Sequence, residues 1–372
     1  MLDRRGFCVS LLVLGGCAAT PGGVPAAAAP TFRPVPDAGW DAWVAAFRGR
    51  AAAEGIGAGT LESAFRGAGF LPGVIERDRN QAEFRRGFED YLQLVASEAR
   101  VAEGRAAFAR QSGTLRAIEG RYGVPAPIVA AIWGIESRYG ARRGTVPVVS
   151  STSTLAYEGR RGRFFEAQLL AALRILQRGD VTPERMVGSW AGAMGHTQFI
   201  PTSFQSFAVD FTGDGRRDIW SDDPTDALAS TAAYLSRSGW RRGEAWGREV
   251  APGTGGRTLR PDAGGPVFAV GRNFDVIKRY NNSDNYALAV GYLSDRIAGG
   301  GPLRAAFGPD ANGLTLEDRI ALQRGLSAAG FDAGTPDGVF GDRSRAALAR
   351  WQAATGRTAD GVPSPAAVAA LR

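Results

Sequence analysis

The sequence predicts a mainly α chain, with a large helical domain over residues 37–299 and a small helical unit over 313–372. Two observations carry that reading: apolar residues recur every three or four positions, and strand patterns are sparse. A third is the Gly/Pro-containing joint at 299–313 (GGGPLRAAFGPDANG), read as a linker over 300–312, after which the composition changes. At 372 residues the chain exceeds what one compact domain needs. Forty-four per cent of residues are hydrophobic and 22% charged, which excludes a disordered chain.

From Trp40 onward the helical pattern runs through Trp43, Val44 and Phe47, then Phe84, Phe88, Tyr91 and Leu92. Breaks fall at Gly67–Gly69, Ser112-Gly113 and Gly123-Val124-Pro125. The pattern predicts further helices at 164–176, 183–186, 226–235 and 286–297, with polar Gly/Ser-rich loops between them. One short strand is expected at 266–270. In the small unit, Leu316, Ile320, Leu322 and Leu326 mark one helix, and Ala347, Leu348 and Trp351 another. Two Asp-Gly-Val turns, at Asp337 and Asp360, punctuate them.

Charge and cysteine usage narrow the chemistry. Lys+Arg minus Asp+Glu is 44 − 37 = +7, and Lys278 is the single lysine. The positive excess sits on the large domain and suits an anionic polymer. His196 is the one histidine, and Cys8 and Cys17 are the only cysteines. No His/Cys zinc cage can be built from these, and any Ser-His-Asp triad has to use His196.

The first 17 residues place Arg4 and Arg5 before a short apolar run, Phe7 to Leu14, as in an export signal. Leu14-Gly15-Gly16-Cys17 resembles a bacterial lipobox, in which Cys17 carries the lipid. An ordinary signal peptide cleaved near Ala26–Ala29 is the alternative. Residues 18–36, rich in Ala, Pro and Gly, are expected to be a flexible tether. The expected address is the periplasm, anchored by lipid to the outer membrane, with the chain acting as a monomer. Export and the lack of a recognition motif argue against nucleic acid as a partner.

The most informative stretch runs from Pro127 to Gly140, where Glu136 is the only carboxylate. On a helix it shares a face with Val129, Ile132 and Trp133. A carboxyl beside an indole and branched aliphatics is partly desolvated, which favours the neutral acid that protonation of a glycosidic oxygen requires. The alternative is an outward Glu paired with Arg138 or Arg142.

Glu136 does not stand alone. Asp78–Phe84 (DRNQAEF), Ser189–Pro201 (SWAGAMGHTQFIP) and Arg279–Ser283 (RYNNS) followed by Tyr286-Ala287 occur in order along the chain. With the helix around Glu136, these segments resemble those of the membrane-bound lytic transglycosylase B family. The resemblance implies a lysozyme-like helical catalytic domain acting on peptidoglycan glycan strands. It implies cleavage of the β-1,4 bond between N-acetylmuramic acid and N-acetylglucosamine, leaving 1,6-anhydro ends, with Glu136 as acid and then base. By the same resemblance Ser189 and Gln198 hydrogen-bond sugar or acetamido groups, and Asn281 contacts substrate. Tyr234, Tyr280 and Tyr286 stack on sugars or donate their hydroxyls, and Arg161 faces a carboxylate. His196 is read as a structural loop residue, and Gly192 and Gly195 as the residues that let this motif turn tightly.

Two rivals stay open: a silent wall-binding lipoprotein, and a muramidase with a second carboxylate. Glu158, Glu166 or Asp218 would supply that second acid if one lay about 5–9 Å from Glu136.

Asp210-Phe211-Thr212-Gly213-Asp214-Gly215-Arg216-Arg217-Asp218 resembles the first nine positions of an EF-hand, but position 12 is Ser221. The family closes this loop with an Asp, here Asp226, although Asp222 and Asp223 compete. The resemblance implies a structural Ca2+ held by Asp210, Thr212, Asp214, Arg216 and Asp226. No cofactor is required for the chemistry itself. Residues 313–372 resemble a small three-helix peptidoglycan-binding domain, through Leu322-Gln323, Asp337–Gly341, Trp351-Gln352 and Asp360-Gly361.

Overall fold

The computed structural model describes residues 31–79 and 87–372. The lipobox with Cys17, most of the expected tether and the DRNQAEF segment from residue 80 onward lie outside the described residues. Residues 31–36 belong to the expected tether but are held to the fold: Val35 N–H donates to the Phe70 carbonyl at 3.0 Å.

The described helices, in chain order, begin with α1 (Ala38–Ala53), α2 (Ala58–Phe65), α3 (Pro72–Arg79), α4 (Phe88–Ala96) and α5 (Glu98–Arg110). They continue with α6 (Ser112–Tyr122), α7 (Ala126–Ser137), α8 (Val148–Glu158), α9 (Gly162–Arg178), α10 (Pro201–Phe207) and α11 (Thr225–Arg237). The last five are α12 (Arg272–Tyr280), α13 (Asp284–Ile297), α14 (Leu316–Ala328), α15 (Asp342–Ala354) and α16 (Pro365–Leu371). Five short strands accompany them: β1 (Val146–Pro147), β2 (Val187–Gly188), β3 (Gly247–Val250), β4 (Thr258–Leu259) and β5 (Val267–Val270). The chain is mainly α, as its periodicity predicts.

One expectation is corrected, and two elements are added to the reading. Residues 183–186 form a turn and not a helix. Residues 148–158, for which the periodicity predicts no element, are helical: α8 runs through Ser150-Ser151-Thr152-Ser153-Thr154, all buried. It survives because its hydroxyls find partners: Thr152 donates to the Val148 carbonyl at 2.6 Å, and Thr154 accepts the Leu71 N–H at 3.0 Å. The strand near 266 is present, but it is the centre of an antiparallel three-stranded sheet, order β3-β5-β4, that was not foreseen.

Two compact units emerge. The first falls within Met1–Phe84, Gly104–Gly243 and Val276–Asn282; the second within Arg85–Glu103, Glu244–Asp275 and Ser283–Arg372. In the first, α7 packs on α6 and α11, and α8 packs on α9. Glu119 of α6 accepts the Ala126 N–H at 3.0 Å, which caps the start of α7.

In the second unit α13 packs on α4, and Asp262 accepts the N–H groups of Phe88 and Glu89, both at 2.9 Å. Residues expected as linker are hydrogen-bonded to β3: the N–H groups of Arg304 and Ala305 reach Glu249 at 2.8 and 2.7 Å. The core of residues 313–372 gathers Leu322, Leu326, Leu348, Trp351 and Val368 from α14, α15 and α16, which is the expected three-helix arrangement. Buried Arg319 of α14 donates to Glu89 and Asp90, each at 2.8 Å, and to Asp310 at 3.1 Å.

Candidate active site

Glu136 lies in the last turn of α7 and is 9% exposed. Val129, Ile132 and Trp133, the residues sharing its face, are buried. The outward, solvated Glu is therefore not what this helix presents. α7 ends abruptly: Arg138 and Tyr139 are both left-handed, at φ 52° and 56°, before Gly140.

One cavity collects Glu136, Gln198, Phe199, Tyr234, Tyr280 and Asn281, together with Ile200 and Ser203. Among these lining residues Glu136 is the only carboxylate. The other candidate acids are held by arginines: Glu158 by Arg79 at 3.2 Å, Glu166 by Arg50 at 2.9 Å and Asp218 by Arg185 at 3.4 Å.

Gln198 is positioned by the Gly-rich motif of 189–201. Met194 and Phe199 exchange backbone hydrogen bonds of 2.8 and 3.0 Å, closing a tight loop. A side chain at Gly195 would meet the Ile219 carbonyl at 2.3 Å, and its φ is +70°, so glycine is required there. Gln198 itself sits at φ 53°, a costly conformation for a residue with a Cβ. Its Nε2 donates to the carbonyls of Arg143 and Gly195, at 3.0 and 2.9 Å. Both amide hydrogens are thus used, and Oε1 is buried without a partner. Asn281 Oδ1 is orphaned in the same way. Two residues lining one cavity thus each carry an unpaired acceptor, the kind of group that matches the N–H and O–H donors of a sugar or an acetamido group.

Of the three tyrosine candidates, Tyr234 and Tyr280 line this cavity. Tyr234 donates to the Arg279 carbonyl at 2.5 Å and Tyr280 to the Thr197 carbonyl at 2.7 Å. Their hydroxyls are engaged by backbone, and their rings remain as an apolar wall, 4.9 Å apart between centroids. Burial, and then the Glu136 carboxyl, push the Tyr280 hydroxyl well above the usual tyrosine range, so it stays a donor.

Ser189 and Arg161 do not line this cavity among the described residues. Ser189 is buried and its hydroxyl accepts the Ala193 N–H at 3.1 Å, a staple within the motif. Arg161 lies over the rings of Phe164 and Phe165, 4.8 and 5.5 Å from their centroids; burial lowers its pKa. Tyr286 belongs to the second unit, buried in the first turn of α13, where the Ser283 hydroxyl accepts its N–H at 3.3 Å. Ser203 was not anticipated. It follows the quoted motif by two residues, in the helix α10 that Pro201 opens.

The acidic loop brings Asp210, Asp214 and Asp226 together, one carboxylate oxygen of each within 4.8 Å of the others. Asp226 is buried and accepts the N–H groups of Phe211, Thr212 and Asp218, at 2.8, 3.1 and 3.0 Å. Burial raises its pKa, and the like charge of Asp210 adds to the rise. Thr212 Oγ1 lies 3.2 Å from Asp210, and Arg216 N–H is anchored on Asp214 at 2.9 Å. Asp222 and Asp223 are occupied elsewhere: Asp222 pairs with Arg143 at 2.7 Å, and Asp223 accepts from Thr225.

Comparison with known proteins agrees with this geometry. Residues 39–260 and 252–295 match the transglycosylase SLT domain, and residues 315–371 match a peptidoglycan-binding domain. The chain is 34% identical over 211 residues to membrane-bound lytic murein transglycosylase B of Escherichia coli (strain K12). That alignment takes in 48% of this chain and 58% of the relative, so the chain spans less than two thirds of that protein's length. SltB3 from Pseudomonas aeruginosa, solved in complex with a NAG-NAM-pentapeptide, is 45% identical with a TM-score of 0.70, over 90% of this chain and 99% of that one. The Escherichia coli lytic transglycosylase Slt35, solved in complex with calcium, is 26% identical with a TM-score of 0.59, over 70% of this chain and 93% of that one.

Proposed function

The chain belongs to the transglycosylase SLT family, and we propose that it cleaves the N-acetylmuramic acid to N-acetylglucosamine bond of peptidoglycan with Glu136 as the one proton-transferring group. Glu136 gives its proton to the leaving glycosidic oxygen. As a carboxylate it then takes the proton of the muramyl 6-hydroxyl, whose oxygen bonds to the anomeric carbon and closes the 1,6-anhydro ring. The proton count balances and no water is consumed. What supports this reading is a cavity whose single acid, Glu136, shares its walls with the unpaired acceptors of Gln198 and Asn281. The tyrosine rings supply a face for the sugar to lie on.

Glu136→Gln tests the assignment. It is expected to lower muropeptide release by about 10²–10⁴-fold or more, while sedimentation of the variant with peptidoglycan is retained. An unchanged rate removes Glu136 from the mechanism.

Calcium in the acidic loop is part of the proposal. Three carboxylates gathered beside the Thr212 hydroxyl offer the hard oxygen atoms that Ca2+ takes. Asp210, Thr212, Asp214, Arg216 and Asp226 would hold it. The ion would neutralise mutually repelling acids and brace the loop, with no part in bond cleavage.

The C-terminal unit is proposed to hold the enzyme on the wall polymer, which raises the local concentration of glycan at the cavity. Anchoring through lipid on Cys17, in the periplasm and on the outer membrane, completes the proposal. No helix among the described residues is long and apolar enough to cross a membrane.

A further inference from the structure

His196 takes no part in the chemistry above, yet it is 3% exposed and bonded on every side. Trp133 Nε1–H donates to its Nδ1 at 3.1 Å. An indole nitrogen can only donate, so Nδ1 is the acceptor and Nε2 carries the proton. Nε2–H then donates to the Ser221 carbonyl at 2.7 Å. The His196 carbonyl accepts the Ser137 hydroxyl at 2.5 Å, and its N–H donates to the Ile219 carbonyl at 3.2 Å.

Trp133 and Ser137 stand three residues before and one residue after Glu136. The turn that follows is strained by two left-handed residues with side chains, Arg138 and Tyr139. His196 is packed into that turn so closely that a Cβ at Gly140 would lie 2.5 Å from its Cε1. The Ser137 hydroxyl also accepts the Gly140 N–H, at 2.9 Å. Arg143, whose Nη1 lies 3.2 Å from His196 Nε2, fastens the same stretch that His196 grips, donating to the carbonyls of Trp220 and Ser221 at 3.0 and 2.6 Å.

We propose that His196 is a positioning residue for Glu136, holding the last turn of α7 and the strained turn after it against residues 219–221. Its ring ties Trp133 to Ser221, its main chain ties Ser137 to Ile219, and Glu136 lies between the two tethered residues. An apolar side chain of similar size fills the space but cannot accept the indole N–H. Glutamine can, because its amide oxygen and nitrogen are spaced much like the two ring nitrogens. The inference rests on Glu136 being the reacting carboxyl.

The experiment compares His196→Leu and His196→Gln in the full chain, with kcat and KM on purified peptidoglycan and a thermal melt of each. Glu136→Gln serves as the control. A displaced Glu136 is expected to cost His196→Leu about 10- to 100-fold in kcat, with KM little changed, and His196→Gln is expected to recover most of that loss. A folded His196→Leu with the parent kcat overturns the proposal, as does a His196→Gln no better than His196→Leu. If His196→Leu does not fold, Trp133→Phe removes only the indole donor; a fall in kcat at constant KM supports the proposal, and an unchanged kcat overturns it. An active Glu136→Gln would instead overturn the reading of Glu136 on which the inference stands.

Discussion

Three glutamines with buried amides separate two regions of this chain. In the C-terminal unit, Gln323 Oε1 accepts the Gly338 N–H at 2.7 Å, and its Nε2 donates to the Val339 carbonyl at 3.2 Å. Gln352 repeats the device one motif later: Oε1 accepts the Gly361 N–H at 2.8 Å, and Nε2 donates to Asp360 at 2.8 Å. Each amide closes an Asp-Gly-Val turn. Among residues 313–372 no buried side-chain polar atom lacks a partner. Gln198 differs: its nitrogen is fixed to two carbonyls, while its oxygen is buried and unpaired in a residue that lines the Glu136 cavity. A buried acceptor without a partner costs free energy. Where all are paired, the polar groups serve the fold; the orphan beside Glu136 is the one the proposed function assigns to substrate.

Breaking the two kinds of glutamine should separate those roles. Gln352→Leu orphans the Gly361 N–H and is expected to cost about 1–3 kcal/mol of stability, with cleavage of soluble glycan strands unchanged below its melting point. Gln198→Leu also loses two hydrogen bonds, so it too melts earlier. It alone is expected to lower kcat/KM, by roughly tenfold. Parent kcat/KM in Gln198→Leu would mean that the orphaned oxygen meets no substrate donor.

The acidic loop sharpens the contrast, since its carboxylates are partly paired by backbone N–H groups and still crowd one another. If Ca2+ resolves the crowding, saturating calcium at about a hundredfold over Kd stabilises the chain by roughly 2.7 kcal/mol, and Asp214→Asn removes that gain. A melt indifferent to both calcium and chelator contradicts the proposed site.

A smaller effect comes from His196. Burial, reinforced by the Arg143 charge, holds its pKa below the ordinary 6.5, and the bond to the Ser221 carbonyl only partly offsets this. Below pH 6.5 the unfolded chain takes up a proton that the folded chain refuses. The stability is therefore complete above 6.5 and is lost as pH falls through the depressed value. His196→Gln should flatten that part of a melting-temperature profile, and an identical slope in the two proteins would contradict it.

Helix content and much of the cavity were legible in the sequence because apolar periodicity and long motifs report on them directly. Glu136 stood out as the only acid in an apolar helix, and Gln198 and Asn281 lay within motifs. α8 was illegible, because its hydroxyls are buried and paired by contacts distant in the chain, such as Thr154 with the Leu71 N–H. The partners of the Tyr234 and Tyr280 hydroxyls were illegible for the same reason: the carbonyls they meet belong to other segments. No spacing rule reveals which acceptor in a fold will be left unpaired.

The central claim is that one carboxyl carries the reaction without water, and the products record whether it does. Purified peptidoglycan should be digested with the mature chain and the released muropeptides weighed by mass spectrometry. Products lighter by one water, with 1,6-anhydro ends, are what a single Glu136 predicts. Reducing ends that take up oxygen from labelled water would contradict it and require a second acid.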